Sequence, residues 1–166
     1  MNTDPEELVI DQLIDDLRDA GAWATSGAAA VRRRECGSIR PVLDHQRLRK
    51  LCLSFKGSRE TFPFGPETSV FKVTEKIFAL SALQAEPLRV SLKCEPLLAE
   101  QLRAEHPAIA AGYHLNKRHW NTVTIDSSID DQMIADMIED SYDLVVSKLS
   151  RGHRRGLGWR GDAEHA

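Results

Sequence analysis

Apolar residues recur at helical spacing in four stretches of the chain and alternate with polar ones in several shorter stretches between them. The first helical stretch, Glu6 to Ala20, carries Ile10, Leu13, Ile14 and Leu17 on one stripe, with Pro5 at its start and Gly21 at its end. A second, Leu43 to Phe55, places Leu48, Leu51, Cys52 and Phe55 together and stops at Gly57. Phe62-Pro63-Phe64-Gly65-Pro66 then breaks regular structure twice within five residues, which predicts an ordered aromatic loop that closes the open end of the core.

The period then changes to two. Ser69–Val73 and Lys76–Leu83 are predicted strands joined through Thr74-Glu75, the two-residue spacing of a hairpin without its usual glycine. Leu88 to Lys93 alternates throughout, so its apolar residues face a core while Arg89, Ser91 and Lys93 face away from it. A helix opens at Glu95-Pro96 and ends before Pro107, with Leu98 and Leu102 on its buried side. Gly112 to Trp120 reads as irregular, and Asn121–Ile125 as a strand with Val123 and Ile125 inward. Trp120, at the head of that strand, is expected to cover one edge of the core. Asp130 and Asp131 sit where a helix dipole favours acids, and Ile134, Met137, Ile138, Tyr142, Val145 and Leu149 form the stripe of the last helix.

The expected domain is therefore a two-layer α+β fold, an antiparallel sheet covered by helices in the order α-β-β-β-α-β-β-α. It occupies residues 41–150. Residues 1–40 form an extension of helix plus linker, expected to attach loosely and to be dispensable, with Val42 a candidate alternative start. Residues 151–166 read as a flexible basic tail.

Charge narrows the function. The chain holds 22 basic and 25 acidic side chains, a net −3. Residues 41–150 have 13 basic and 15 acidic groups, or −2, so a polyanion could be held only by a local patch. No apolar run approaches membrane-spanning length, and Asp4, Glu6 and Glu7 stand where a secretory leader would be basic, so a cytoplasmic protein without a membrane partner is expected. The three cysteines, Cys36, Cys52 and Cys94, are far apart and odd in number, which suits reduced thiols.

The densest polar cluster runs from Tyr113 to Asn121. Lys117 and Arg118 suit phosphates, and Asn116 and Asn121 suit base edges. His114 and His119 join them, while Lys93 and Arg89 extend the patch from the outer side of their strand. Arg154 and Arg155 are auxiliaries in the tail. Tyr113 and Trp120 are read as anchors. The two histidines have no companion thiols or carboxylates at ligand spacing, so no metal is expected. Cys94 lies at a helix start that could lower its pKa, yet it has no matched base. The acids of the last helix, Asp130, Asp131, Asp136, Glu139 and Asp140, read as a solvated face. No catalytic residue and no cofactor are expected.

Several segments in collinear order carry a resemblance. Phe62-Pro63-Phe64-Gly65-Pro66, Val70-Phe71-Lys72-Val73, Lys76-Ile77-Phe78-Ala79-Leu80, Leu92-Lys93-Cys94-Glu95-Pro96, Gly112 through Val123 and Ser141-Tyr142-Asp143-Leu144-Val145-Val146 together resemble the YjbR/MmcQ family. The resemblance spans about Leu43 to Leu149. It implies a fold similar to secretion chaperones and a DNA-binding "double-wing" domain. Apart from the resemblance, a monomer is expected. A protein-interaction or chaperone-like module, using the sheet face or the Phe62–Phe64 loop, is the rival expectation.

Overall fold

The computed structural model describes residues 43–112 and 115–159. The expected Glu6–Ala20 helix, its linker, Cys36, and Tyr113 and His114 of the polar cluster lie outside the described residues.

Helix α1 spans His45–Ser54, where Asp44 caps the first turn by accepting from the Arg47 backbone N–H at 2.8 Å. Strands β1 (Ser58–Thr61), β2 (Ser69–Val73), β3 (Lys76–Ser81) and β4 (Arg89–Lys93) follow, then helix α2 (Pro96–Glu105). Strands β5 (Ile109–Ala111) and β6 (Trp120–Thr124) precede helix α3 (Asp131–Ser147) and a short helix α4 (Arg151–Leu157). The strands form one antiparallel sheet in the order β1-β2-β3-β4-β6-β5. Helices α1, α2 and α3 cover one face, with α3 across β2, β3 and β4. The α+β expectation therefore holds, with two added elements.

Both additions are instructive. Strand β1 is polar, Ser-Arg-Glu-Thr, so alternation of apolar residues could not reveal it. It is an edge strand, where charged side chains discourage pairing with another sheet. Helix α4 replaces the start of the expected tail. Ser150 caps it, Leu157 packs onto the main core, and the Trp159 indole N–H donates to Asp143 Oδ1 at 2.8 Å. The Arg154 guanidinium lies 5.8 Å from the Trp159 ring centroid. Two anchors beyond the glycines hold a segment that composition alone marked as loose.

The β2–β3 hairpin turns through Thr74 and Glu75 as expected, and Thr74 takes the positive φ of 54° that a glycine would otherwise supply. The inner core includes Leu48, Cys52, Phe71, Phe78, Leu92, Val123, Ile134, Ile138 and Val146. Phe55 stacks on Tyr142 beside it, Phe78 meets both rings edge to face, and the Tyr142 hydroxyl donates to the Lys56 carbonyl at 2.7 Å.

A second, smaller cluster lies on the opposite face. Val70, Ile77, Leu80 and Trp120 are buried there, with Phe64 and Leu115 packed against them from two loops. This corrects the expected place of two aromatics. Trp120 stands three residues before Val123, so a strand turns it to the other face. The Phe64 loop likewise caps this outer cluster and leaves the main core to the helices, while Phe62 stays 50% exposed. Helix α2 buries Ala99 and Leu102, and Leu98, expected inside, is 40% exposed.

Candidate nucleic-acid interface

The polar cluster before β6 is built by backbone economy. Asn116 accepts the Trp120 and His119 N–H groups on its carbonyl, each at 3.0 Å, and the Arg118 N–H on its side-chain Oδ1 at 3.1 Å. Asn116 thus shapes a turn. Arg103 of α2 donates to the Lys117 carbonyl at 2.7 Å and fixes the loop from below. Gly112 has no room for a side chain, since a Cβ there would meet Trp120 Cβ at 2.8 Å and Leu115 Cβ at 2.9 Å. The result is a pinned loop whose tip presents Lys117 and Arg118, both exposed and without an ion-pair partner among the described residues.

The other expected contacts divide. Asn121 is 0% exposed: its amide donates to the Ala99 carbonyl at 3.3 Å, and its oxygen accepts from Arg103 at 3.2 Å. It joins β6 to α2 and cannot reach a base edge. This corrects its expected role. His119 is half-buried, and its carbonyl accepts from the Cys94 N–H at 2.8 Å, tying the loop to the end of β4. Lys93 is half-buried with its ammonium 5.5 Å from the Trp120 ring centroid, beside the loop. Arg89 is exposed at the far end of β4. Arg154 is half-buried against Trp159, whereas Arg155 is exposed.

Sequence reasoning missed Ser141. It is fully buried on α3, donates to the Phe78 carbonyl at 2.5 Å and accepts from the Lys93 N–H at 2.8 Å. Its hydroxyl bridges two strand groups at the point where the β3–β4 pairs end, at Ala79 and Leu92. A serine within an apolar helical stripe was the available signal.

The chemistry of the remaining candidates is quiet. Burial, then the nearby Asp140 carboxylate, pushes the Cys94 thiol up, which corrects the expectation that a helix start could lower it. Burial pushes the Cys52 thiol to about 12. A shallow cleft lined by Lys93, Cys94, Glu95, His119, Leu144 and Lys148 lies beside the loop. Among the described residues no three His, Cys, Asp or Glu side chains are grouped to hold a metal ion, and no helix is long and apolar enough to cross a membrane. Asp130 caps α3 by accepting from the Gln132 N–H at 3.3 Å, and Asp136, Glu139 and Asp140 are exposed along it.

Comparison with known proteins agrees with the architecture. The YjbR family model matches residues 53–144. Uncharacterized protein YbdF of Escherichia coli O157:H7 is 39% identical over 111 residues, 64% of this chain and 88% of that protein. Uncharacterized protein YjbR of Escherichia coli strain K12 is 33% identical over 110 residues, covering 66% of this chain and 93% of its own. The crystal structure of Deinococcus radiodurans protein DR2400, of the DUF419 domain, matches with a TM-score of 0.69 at 40% identity, covering 75% of this chain and 95% of that one.

Proposed function

This chain belongs to the YjbR family, and we propose that it is a non-enzymatic binding domain that holds DNA weakly through the loop before β6. The observation that carries this reading is the pinned loop tip. Lys117 and Arg118 stand next to each other in a turn fixed by Asn116 and Arg103, so two cations without an ion-pair partner among the described residues are presented with little left to order on binding. Lys93, set over the Trp120 ring, adds a third positive charge close by. Phosphate contact needs such charges and little more. Burial pushes up both described thiols, Cys52 in the core and half-buried Cys94, which disfavours a thiolate nucleophile and supports binding over catalysis. Reduced thiols also fit a cytoplasmic setting, and the small patch suits a monomer.

With so few contacts, non-specific dissociation constants are about micromolar or weaker, and the salt slope is a few units. Fluorescence anisotropy with a labelled duplex at two salt concentrations tests this. Lys117→Ala with Arg118→Ala lowers the log–log slope by up to about two units. Absence of binding to duplex and single strand at low salt ends the DNA reading.

A protein partner is the second reading, and one observation favours it: Leu97 is 85% exposed beside the exposed Leu98 in the first turn of α2.

A further inference from the structure

The sheet separates its charges by face. Register and pleat put Arg59, Lys72, Arg89 and Lys93 on the outer side: Arg59 pairs with Lys72, Lys72 with Ile77, Arg89 with Thr124, and Lys93 with Trp120. Ile77 and Trp120 belong to the outer cluster, which fixes the side for the whole set. The strands hold one carboxylate, Glu60, and it points to the inner side, where the Arg49 guanidinium lies 2.7 Å away and the Ser69 hydroxyl donates at 2.7 Å. Every ionisable strand residue on the outer face is therefore a cation. Carboxylates lie in the loops that join the strands: Glu67, Glu86, Glu95 and Asp126 are exposed, and Glu75 pairs with Arg59.

Lys72 and Arg89 have no ion-pair partner among the described residues. They flank the loops that carry Phe64 and Leu115 over the centre of this face, and the second of those loops ends in Lys117 and Arg118. From β1 to β6 the face crosses four strand spacings, about 19 Å at roughly 4.8 Å each. The cations are thus spread over one surface wide enough to meet several phosphates at once. Aromatic side chains are turned into it: Trp120 is buried, and Phe64 is half-buried. Among the described residues only Phe62, half exposed on the Phe64 loop, leaves a ring at this surface for a base to stack upon, whereas a continuous duplex backbone needs none.

Resting on the DNA reading, we infer that the whole outer sheet face, ringed by Lys72, Arg89 and Lys93 and centred on the Lys117–Arg118 loop, is a sequence-independent docking surface for the phosphate backbone of duplex DNA. The helical side takes no part, since α3 presents Asp136, Glu139 and Asp140 to solvent.

The test uses the full chain and a labelled random-sequence duplex of about 20 base pairs, followed by anisotropy across a salt series. Lys72→Glu with Arg89→Glu weakens binding at low salt by at least about tenfold, while Arg47→Glu with Lys50→Glu on exposed positions of α1 makes the same change of net charge and leaves affinity within about twofold. Should half-buried Lys72 prove intolerant of the change, Arg89→Glu alone, at an exposed site, retains a loss of several-fold. A single strand of equal length binds more weakly than the duplex. Equal losses for the sheet and helix variants overturn the inference, as does tighter binding of the single strand. Unchanged affinity in the sheet variant, with loss only in Lys117→Ala/Arg118→Ala, also overturns it and leaves the loop reading intact. Failure of the unaltered protein to bind the duplex at all removes that reading first, and the docking surface with it.

Discussion

On the inner face of the sheet, Phe71, Phe78, Val90 and Val123 are closed under helices; on the outer face, Val70, Ile77, Leu80 and Trp120 are closed under two loops. Both clusters exclude water, yet they rest on different supports. Helix α3 brings its own hydrogen bonds and a seven-residue buried stripe to the inner face. The outer loops contribute Phe64 and Leu115, held by turns such as the one Asn116 shapes. A face roofed by helices is a core in the ordinary sense. One roofed by loops can stay packed and still carry the side chains that meet a partner.

The largest expected effects test that contrast directly. Phe78→Ala removes a fully buried ring that meets Phe55 and Tyr142 edge to face and costs about 4 to 5 kcal/mol in denaturant unfolding. Trp120→Ala costs about 3 kcal/mol, the low end for large aromatics, because its cluster is small and the indole is 7% exposed. Equal losses would break the contrast and make the outer cluster as rigid as the inner one. Trp120→Ala at full stability with lost DNA binding would instead make Trp120 a recognition residue.

Next comes Ser141→Ala. It leaves the buried Phe78 carbonyl and the part-buried Lys93 N–H without their bridge between α3 and the sheet. Stranding such groups costs about 1 to 3 kcal/mol each, less whatever the strands recover by closing onto each other. A change of only a few tenths would mean that β3 and β4 re-form the bond directly. The bridge would then be a convenience of packing.

These cases also mark what the sequence could convey. Period-two alternation assigned Arg89 and Lys93 to one side of β4 and Val90 and Leu92 to the other, because a strand's geometry decides that regardless of context. It could not tell what covers each side, and so Ser91, read as facing out, is buried and 2.9 Å from Thr122 Oγ1. Strand β1 carries no apolar code at all, since it is specified by its partner β2 and by the Arg49–Glu60 contact with α1. At the candidate site, the exposure of Lys117 and Arg118 was readable from a polar, turn-rich run. The burial of Asn121 was not, because an amide is equally suited to a base edge and to the end of a helix, and only tertiary packing chooses between them.

Glu60→Gln probes the link between the edge strand and the helices. Burial opposes the charge of Glu60, but hydrogen bonds from Arg49 and Ser69 outweigh it and hold the carboxyl below its ordinary range. A lowered carboxylate adds stability that is present above its unfolded pKa and is lost as pH falls through the folded one. The native protein should therefore lose this contribution below about pH 4.3, whereas the glutamine variant should show a shallower acid slope. At neutral pH the substitution costs about 1 kcal/mol, since Arg49 remains largely solvated. Parallel pH profiles for the two proteins would mean that the pair adds nothing to folding.

The smallest effect on stability separates the loop tip from the roof it belongs to. Lys117 and Arg118 are exposed, and the loop is fixed through the Lys117 carbonyl and the Arg118 N–H, both backbone groups. Replacing both side chains by alanine leaves those bonds in place, so unfolding free energy should stay within about 0.5 kcal/mol of the native protein. Binding behaves differently, because each cation that meets a phosphate releases condensed counterions, and losing two of them lowers the salt slope by up to about two units. A variant that keeps its stability and loses part of its slope makes the tip a contact built on an independent frame. One that loses several kcal/mol would show that the charges hold the loop itself, and the outer cluster beneath it would then depend on the same residues that meet the ligand.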